Sequence, residues 1–187
     1  TDNAALHSAL EAGSVLPVFI LDPAFDNLSE RRKHFLYEGL SALDKDLRKR
    51  NSYSVVRKGK PIDALRQLFD EVKAETIYAE EDYTPYSRKR DEFIQKLLPL
   101  SLVQGQTVHH PKSVLKQDGR PYTVYTPYSK VWKAQLTKIK LHPAPENLNT
   151  PKGIRSEPLP AFTPSPIFPA GEAEALSRLH TTTSGPR

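Results

Sequence analysis

Val15-Leu16-Pro17-Val18-Phe19-Ile20-Leu21, closed by Asp22-Pro23, is a short unbroken apolar run ended by a turn dipeptide. Continuous rather than alternating apolar character predicts a strand buried on both faces, as in a parallel sheet covered by helices. The period then changes. Asn27 or Ser29 can cap a helix, Asn27 and Glu30 stand at capping-box spacing, and Phe35, Leu36, Leu40, Leu43 and Leu47 form a helical apolar stripe. Tyr53-Ser54-Val55-Val56 reads as a second strand, followed by a helix opened by Pro61 with Ile62, Leu65, Leu68, Phe69 and Val72 behind it. Thr76-Ile77-Tyr78-Ala79 is a third strand, and a helix carrying Phe93, Ile94, Leu97 and Leu98 leads to a fourth between Leu102 and Val108. Upstream, Thr1-Asp2-Asn3 reads as the cap of a helix with Ala5, Leu6, Ala9 and Leu10 on one face before Gly13. Strands alternating with helices of this length predict βαβ units, hence an α/β fold with a Rossmann-like doubly wound parallel sheet.

Proline shows where this pattern stops. Nine of the 17 prolines fall after Leu141, where apolar periodicity also fades, so residues 1 to 138 read as the domain and the chain beyond as an extended Pro-rich linker. The 37% hydrophobic content of the 187 residues supports a core in only part of that length. A net charge of +5 suits a polyanionic partner, yet clusters such as Arg31-Arg32-Lys33 and Arg88-Lys89-Arg90 also suit solvated helix faces. The chain has no cysteine, which excludes disulfides and thiolate chemistry, and no apolar run approaches the roughly 20 residues that span a bilayer.

Ligands of such sheets bind beyond the carboxyl ends of the strands, where two acidic ends stand out. One is Asp22 after Phe19-Ile20-Leu21; the other is Glu80-Glu81-Asp82, followed by Tyr83-Thr84-Pro85-Tyr86. Carboxylates there are also common turn and cap residues. No Gly-x-Gly-x-x-Gly, Walker lysine loop or Gly-x-Ser-x-Gly elbow occurs, which leaves nicotinamide dehydrogenase, P-loop and α/β-hydrolase chemistry unsupported. The six histidines, among them His109 and His110, lack metal-ligand spacing and read as loop residues.

Asp118-Gly119-Arg120-Pro121-Tyr122-Thr123-Val124-Tyr125-Thr126-Pro127-Tyr128-Ser129-Lys130-Val131-Trp132 runs from a turn dipeptide through aromatic residues into a helix. Pro121 and Pro127 are expected to keep the segment between them out of regular helix, and Tyr122, Tyr125, Tyr128 and Trp132 offer large amphipathic faces for docking. This segment resembles the connector of the DNA photolyase and cryptochrome family. Asp2-Asn3-Ala4-Ala5-Leu6, Val18-Phe19-Ile20-Leu21-Asp22-Pro23, Arg32-Lys33-His34-Phe35-Leu36 and Asp82-Tyr83-Thr84-Pro85-Tyr86-Ser87-Arg88-Lys89-Arg90-Asp91 are each similar to family motifs, in family order and spacing. Phe168-Pro169-Ala170-Gly171-Glu172 looks like the entry to the family's flavin-binding helical domain.

The resemblance implies three parts: residues 1–138 as the α/β antenna-chromophore domain, 139–167 as a Pro-rich interdomain linker, and 168–187 as the start of the FAD-binding helical domain. It implies a parent deoxyribodipyrimidine photo-lyase of class I, CPD type, that repairs dimers flipped out of DNA, a process of which photolyases are a standing example. The FAD site and the catalytic residues would then lie outside this chain. Family antenna pockets carry over to Phe19, Leu21, Asp22, Arg32 and Asp82, with Ile20, Thr84 and Ser87 beside them. The rings would be lined by Phe19 and Leu21, a negative charge answered by Arg32, and hydrogen bonds accepted by Asp22 and Asp82. The candidate chromophores are a deazaflavin, a flavin or methenyltetrahydrofolate. Thr84 and Ser87 replace the acidic and glycine residues of deazaflavin and folate binders, which leaves a flavin-filled or an empty pocket.

Further expectations follow from the family. The chain reads as one whose true beginning has been removed, with the central first strand missing and the isolated fragment marginally stable. The expected setting is a cytoplasmic, monomeric, bacterial-type protein with no membrane or metal, partnered by damaged DNA and its own helical domain. The alternatives are a cryptochrome photoreceptor, a stand-alone nucleotide- or flavin-binding α/β module, and a purely electrostatic DNA-binding domain.

Overall fold

A computed structural model describes residues 3–137 and 141–183. In chain order the elements are α1 (Ala4–Ala12), β1 (Val18–Leu21), a 3-10 helix (Pro23–Asn27), α2 (Glu30–Arg48), β2 (Val55–Lys58) and α3 (Pro61–Val72). They continue with β3 (Ile77–Glu80), α4 (Pro85–Gln95), β4 (Leu100–Val103), α5 (Tyr125–Ala134) and α6 (Glu172–Thr183). This is the expected mixed α/β order, and both strand pairs are parallel: β1 with β2 from Val18 opposite Val55, and β3 with β4 from Ile77 opposite Leu100. The described strands form two separate two-stranded sheets. The chain accordingly divides into two compact units, one of Thr1–Ala12 with Thr76–Ala144 and one of Gly13–Glu75 with Pro145–Arg187.

In the first unit α1 packs on β3 and β4. Asn3 caps the helix by accepting the Leu6 amide at 2.7 Å, and the Glu80 carboxylate receives the Ala4 amide at 3.3 Å. A negative group at the end of β3 therefore answers the positive end of α1. Thr84 caps α4, with Pro85 at the first helical position, and Ile94 is the helix's core residue at 3% exposure. Asp118-Gly119 makes the expected turn: Gly119 has φ 77°, the Lys116 amide donates to the Arg120 carbonyl at 2.9 Å, and Leu115 bridges Pro121. The aromatic run departs from expectation at Pro127, which lies inside α5. It is tolerated in the first turn because the amide that proline lacks would have no helical partner there.

In the second unit β2 is the buried strand, with Val55 at 0% and Val56 at 4% exposure. The expected double burial of β1 is not observed: it runs from Val18, and Val18 is exposed. Ser29 occupies the N-cap position of α2 without a side-chain bond, and Glu30 pairs with Lys33 at 3.0 Å instead of closing a capping box. Along α2 the predicted stripe splits, with Leu47 buried and Phe35 and Leu43 exposed. Asp44 receives the Ser54 amide at 2.8 Å and its hydroxyl at 3.0 Å, which ties α2 to the approach of β2.

Residues 145–157 have no regular structure, yet they are fastened to this unit. The Leu148 amide donates to the Arg50 carbonyl at 3.1 Å and its side chain is 1% exposed. Ser52 and Thr150 share a buried hydroxyl contact at 2.6 Å, and the Thr150 hydroxyl donates to the Val15 carbonyl at 2.9 Å. Farther along, the Ser156 hydroxyl receives the Val56 amide and the Glu157 amide donates to the Val56 carbonyl, both at 2.9 Å. These bonds satisfy edge groups of β2 that no strand pairs. Among the described residues no helix is long and apolar enough to cross a membrane.

Candidate functional site

The second unit's strand end comes first. β1 turns directly into the 3-10 helix because Asp22 holds an extended conformation and its Oδ1 accepts the Ala24 amide at 2.9 Å. Asp22 is 8% exposed, so at least one of its oxygens is engaged in shaping the backbone rather than directed at solvent. Phe19 stacks on Phe25 with centroids 6.0 Å apart, while Ile20 and Leu21 are half-buried, and the Leu21 carbonyl accepts the Gly59 amide at 3.1 Å.

α2 begins nine residues beyond the strand end, and its first turns build a cavity of about 760 Å3. Its walls include Ser29, Arg31, Arg32 and Phe35 from the helix and Ser165 and Phe168 from the irregular chain before α6. The Phe35 and Phe168 rings are 5.7 Å apart at 39°, and the Arg178 guanidinium lies 4.6 Å from the Phe168 centroid. Arg178 is fixed there by the Glu174 carboxylate at 2.8 Å and the Ile167 carbonyl at 2.9 Å. By contrast, the exposed guanidiniums of Arg31 and Arg32 have no side-chain partner among the described residues. The cavity thus combines two uncommitted positive charges with two aromatic rings, a pairing suited to a flat anionic molecule.

The first unit's strand end is occupied by its own network. Asp82 accepts the Thr84 amide at 2.9 Å through Oδ1 and the Ser87 hydroxyl at 2.8 Å through Oδ2. The Thr84 amide, followed by the Ser87 hydroxyl, holds the Asp82 carboxyl below its ordinary range despite partial burial. Thr84 Oγ1 in turn accepts the Ser87 amide at 3.3 Å. Next to this cap, the His110 imidazole accepts the Lys112 amide at Nδ1, so its Nε2–H faces the Glu81 carboxylate at 3.2 Å. The Tyr83 ring meets His110 edge-on, and burial pushes its phenol up. Among the described residues no cluster of three metal-ligating side chains occurs.

Of the residues carried over to the antenna pocket, Arg32 lines this cavity, whereas the side chains of Asp22, Asp82 and Thr84 accept backbone amides and the Ser87 hydroxyl is held by Asp82. Ser165 lies in the proline-rich segment, where no period marks an inward face, and Phe168 reads from sequence as the entry to the helical domain rather than as a cavity residue. Phe35 was read as a core residue; its 45% exposure is what frees it for the cavity.

A family model described as DNA photolyase matches residues 1–151. The deoxyribodipyrimidine photo-lyase of Agrobacterium fabrum is 31% identical over 96% of this chain and 41% of its own length. Cryptochrome-1 of Erithacus rubecula is 29% identical over 95% of this chain and 33% of its own. Among solved structures, a bacterial class III photolyase from Agrobacterium tumefaciens superposes with a TM-score of 0.88 at 29% identity, over 98% of this chain and 42% of that one. An archaeal photolyase from Sulfolobus tokodaii, solved with two FAD molecules and described as implying a novel light-harvesting cofactor, gives 0.74 at 29% identity, over 96% and 43%. The chain therefore spans less than half the length of these relatives.

Proposed function

Because the chain belongs to the DNA photolyase family, we propose that it is the light-harvesting α/β part of a deoxyribodipyrimidine photo-lyase, whose light-driven repair of pyrimidine dimers requires FAD held in a helical domain outside this chain. In this reading the protein as a whole acts on damaged DNA, is monomeric and cytoplasmic, and docks its α/β part on its own helical domain. Residues 1–138 are the antenna domain, 139–167 the connection and 168–187 the entry to the helical domain.

The observation that carries the antenna reading is the cavity bounded by Arg31, Arg32, Phe35 and Phe168. Its roughly 760 Å3 is within the range of small-molecule sites. We assign it a flavin: the rings accept the flat heterocycle, and Arg31 with Arg32 answers a phosphate. When bound, such a chromophore supplies light absorption and passes the excitation on. Phe19, Ile20 and Leu21 contribute the apolar strand end, and Asp22 sets the turn that delivers α2. In the first unit Asp82, Thr84 and Ser87 shape the corresponding loop.

Titration of the chain with FMN, followed by flavin fluorescence, tests this. Saturable binding is expected, weakened about a hundredfold in the Arg31→Gln, Arg32→Gln double variant, since a hydrogen bond to a charged group contributes about 1.5–3 kcal/mol. Unchanged affinity in that variant removes the antenna assignment. Light-dependent repair of dimer-containing DNA by the longer protein separates photolyase from cryptochrome.

A further inference from the structure

The first unit holds a second cleft, of about 410 Å3, that the light-harvesting reading leaves unused. The Leu115–Pro121 hairpin and α5 supply its aromatic wall: Tyr122, Tyr128 and Trp132, joined by His109. Tyr122 and Tyr128 meet at 67° with centroids 6.3 Å apart; His109 and Trp132 meet at 78° and 5.0 Å. His109 is fixed in place, because its Nε2–H donates to the Trp132 carbonyl at 3.0 Å. Tyr128 and Trp132 are four residues apart on α5 and so share a helix face. No carboxylate lines the cleft.

The surrounding charge is one-sided. Residues 104–137 carry Lys112, Lys116, Arg120, Lys130 and Lys133 against Asp118 alone. Arg120 and Asp118 neutralise each other at 2.7 Å, while the four lysine ammonium groups have no ion-pair partner among the described residues. A cationic guest would meet rings but also this positive field, so an aromatic cage for a cation is disfavoured. A guest with a flat ring and a negative charge meets no such conflict. The charges are spread over the His110–Arg120 stretch and over α5, which suits a row of phosphates better than the single anion of a small ligand.

We propose that this cleft binds single-stranded nucleic acid without sequence preference, one unstacked base lying among Tyr122, Tyr128 and Trp132 while the lysines follow the flanking phosphates. Every base has a face to stack, and a duplex keeps its bases out of reach, so single strands are preferred. Such a site gives the α/β part its own hold on unpaired DNA.

Trp132 is the chain's one tryptophan, so intrinsic emission reports the cleft directly. Titration of the full chain with a fifteen-nucleotide oligo-dT at low salt is expected to change Trp132 emission saturably, with affinity falling linearly in log salt at a slope of about −2 to −3, as for three or four phosphate contacts. Tyr128→Ala is expected to weaken binding about tenfold while Tyr128→Phe retains it, because stacking needs the ring and not the hydroxyl. Should Tyr128→Ala fail to fold by circular dichroism, Tyr122→Leu keeps the apolar bulk and is expected to show the same loss. Lys112→Ala with Lys116→Ala is expected to shallow the salt slope by about one while leaving the saturating emission change intact. The proposal is overturned by oligo-dT binding that leaves Trp132 emission unaltered, by inorganic polyphosphate or an equal-length duplex reproducing both affinity and emission change, by full affinity in Tyr122→Leu, or by no binding at low salt.

Discussion

The two units contain the same local parts, a pair of parallel strands with helices, and they fasten those parts differently. In the unit of β1 and β2, main chain arriving from a hundred residues away does the work. Ser156 and Glu157 bond both backbone groups of Val56, and Leu148 is buried behind Arg50. In the unit of β3 and β4, a single carboxylate, Glu80, joins the strand end to the first amide of α1. A two-stranded sheet is marginal in water by itself, so each unit depends on what covers it. The first solution is built from burial and many bonds. The second packs α1 and α4 on the strands and adds one charged contact at the end where ligands of such sheets bind.

The largest test is therefore Leu148→Ala. The side chain is almost wholly buried, and truncating such a leucine costs about 2–5 kcal/mol. The Val55 and Val56 amides should exchange with solvent faster by a matching factor, while those of Ile77 to Glu80 stay protected. Equal loss of protection in both strand pairs would erase the distinction, because the fastening would then act on the whole chain.

How much of this was legible in the sequence follows from which interactions are local. Pro61 opens a helix where proline's missing amide predicts, and Asn3 caps α1 as its side chain allows. Element order needed only period, and family motifs needed only spacing. The burial of β1 was overread: a continuous apolar run states what a strand can tolerate, not which neighbours arrive, and Val18 is exposed. Residues 145–157 carried no period because their bonds run through backbone groups and hydroxyls, which leave no apolar signature. The strand-end carboxylates were ambiguous for a related reason. Asp22 and Asp82 are placed equally well to meet a ligand or a neighbouring amide, and only geometry shows that the amides of Ala24 and Thr84 reach them first. Arg32 carries the candidate site because it has no such neighbour.

A smaller effect tests the unit of β3 and β4. A methyl group added at Gly105 would collide with the Glu80 carboxylate, the mobile end of a side chain that can swing away. Gly105→Ala is therefore expected to leave β3 and β4 intact and to release the Ala4 amide, costing about 1 kcal/mol for a charged cap at a helix N-terminus. Glu80→Gln, which keeps an acceptor without the charge, should lose only the electrostatic part, and only at low ionic strength. Thermal melts of the two variants at low and high salt make the measurement. A salt-independent Glu80→Gln loss would show that Glu80 acts through packing, and the contrast between the units would weaken.

The smallest effect concerns pH at the other carboxylate of the same strand end. The Thr84 amide and Ser87 hydroxyl favour the charged form of Asp82, so its folded-state pKa lies below the unfolded one, near 3.9. A depressed carboxylate stabilises the fold fully above the unfolded pKa and loses that contribution as pH falls through the folded value. Asp82→Asn should hence be destabilised by less than about 1 kcal/mol from pH 5 to 8, and the gap to the unaltered chain should close below about pH 4. Carbon-13 shifts of the Asp82 carboxyl give the folded titration directly. A gap that persists unchanged at pH 3 would mean that Asp82 acts by the shape of its turn and not by its charge, unlike the Glu80 contact with α1.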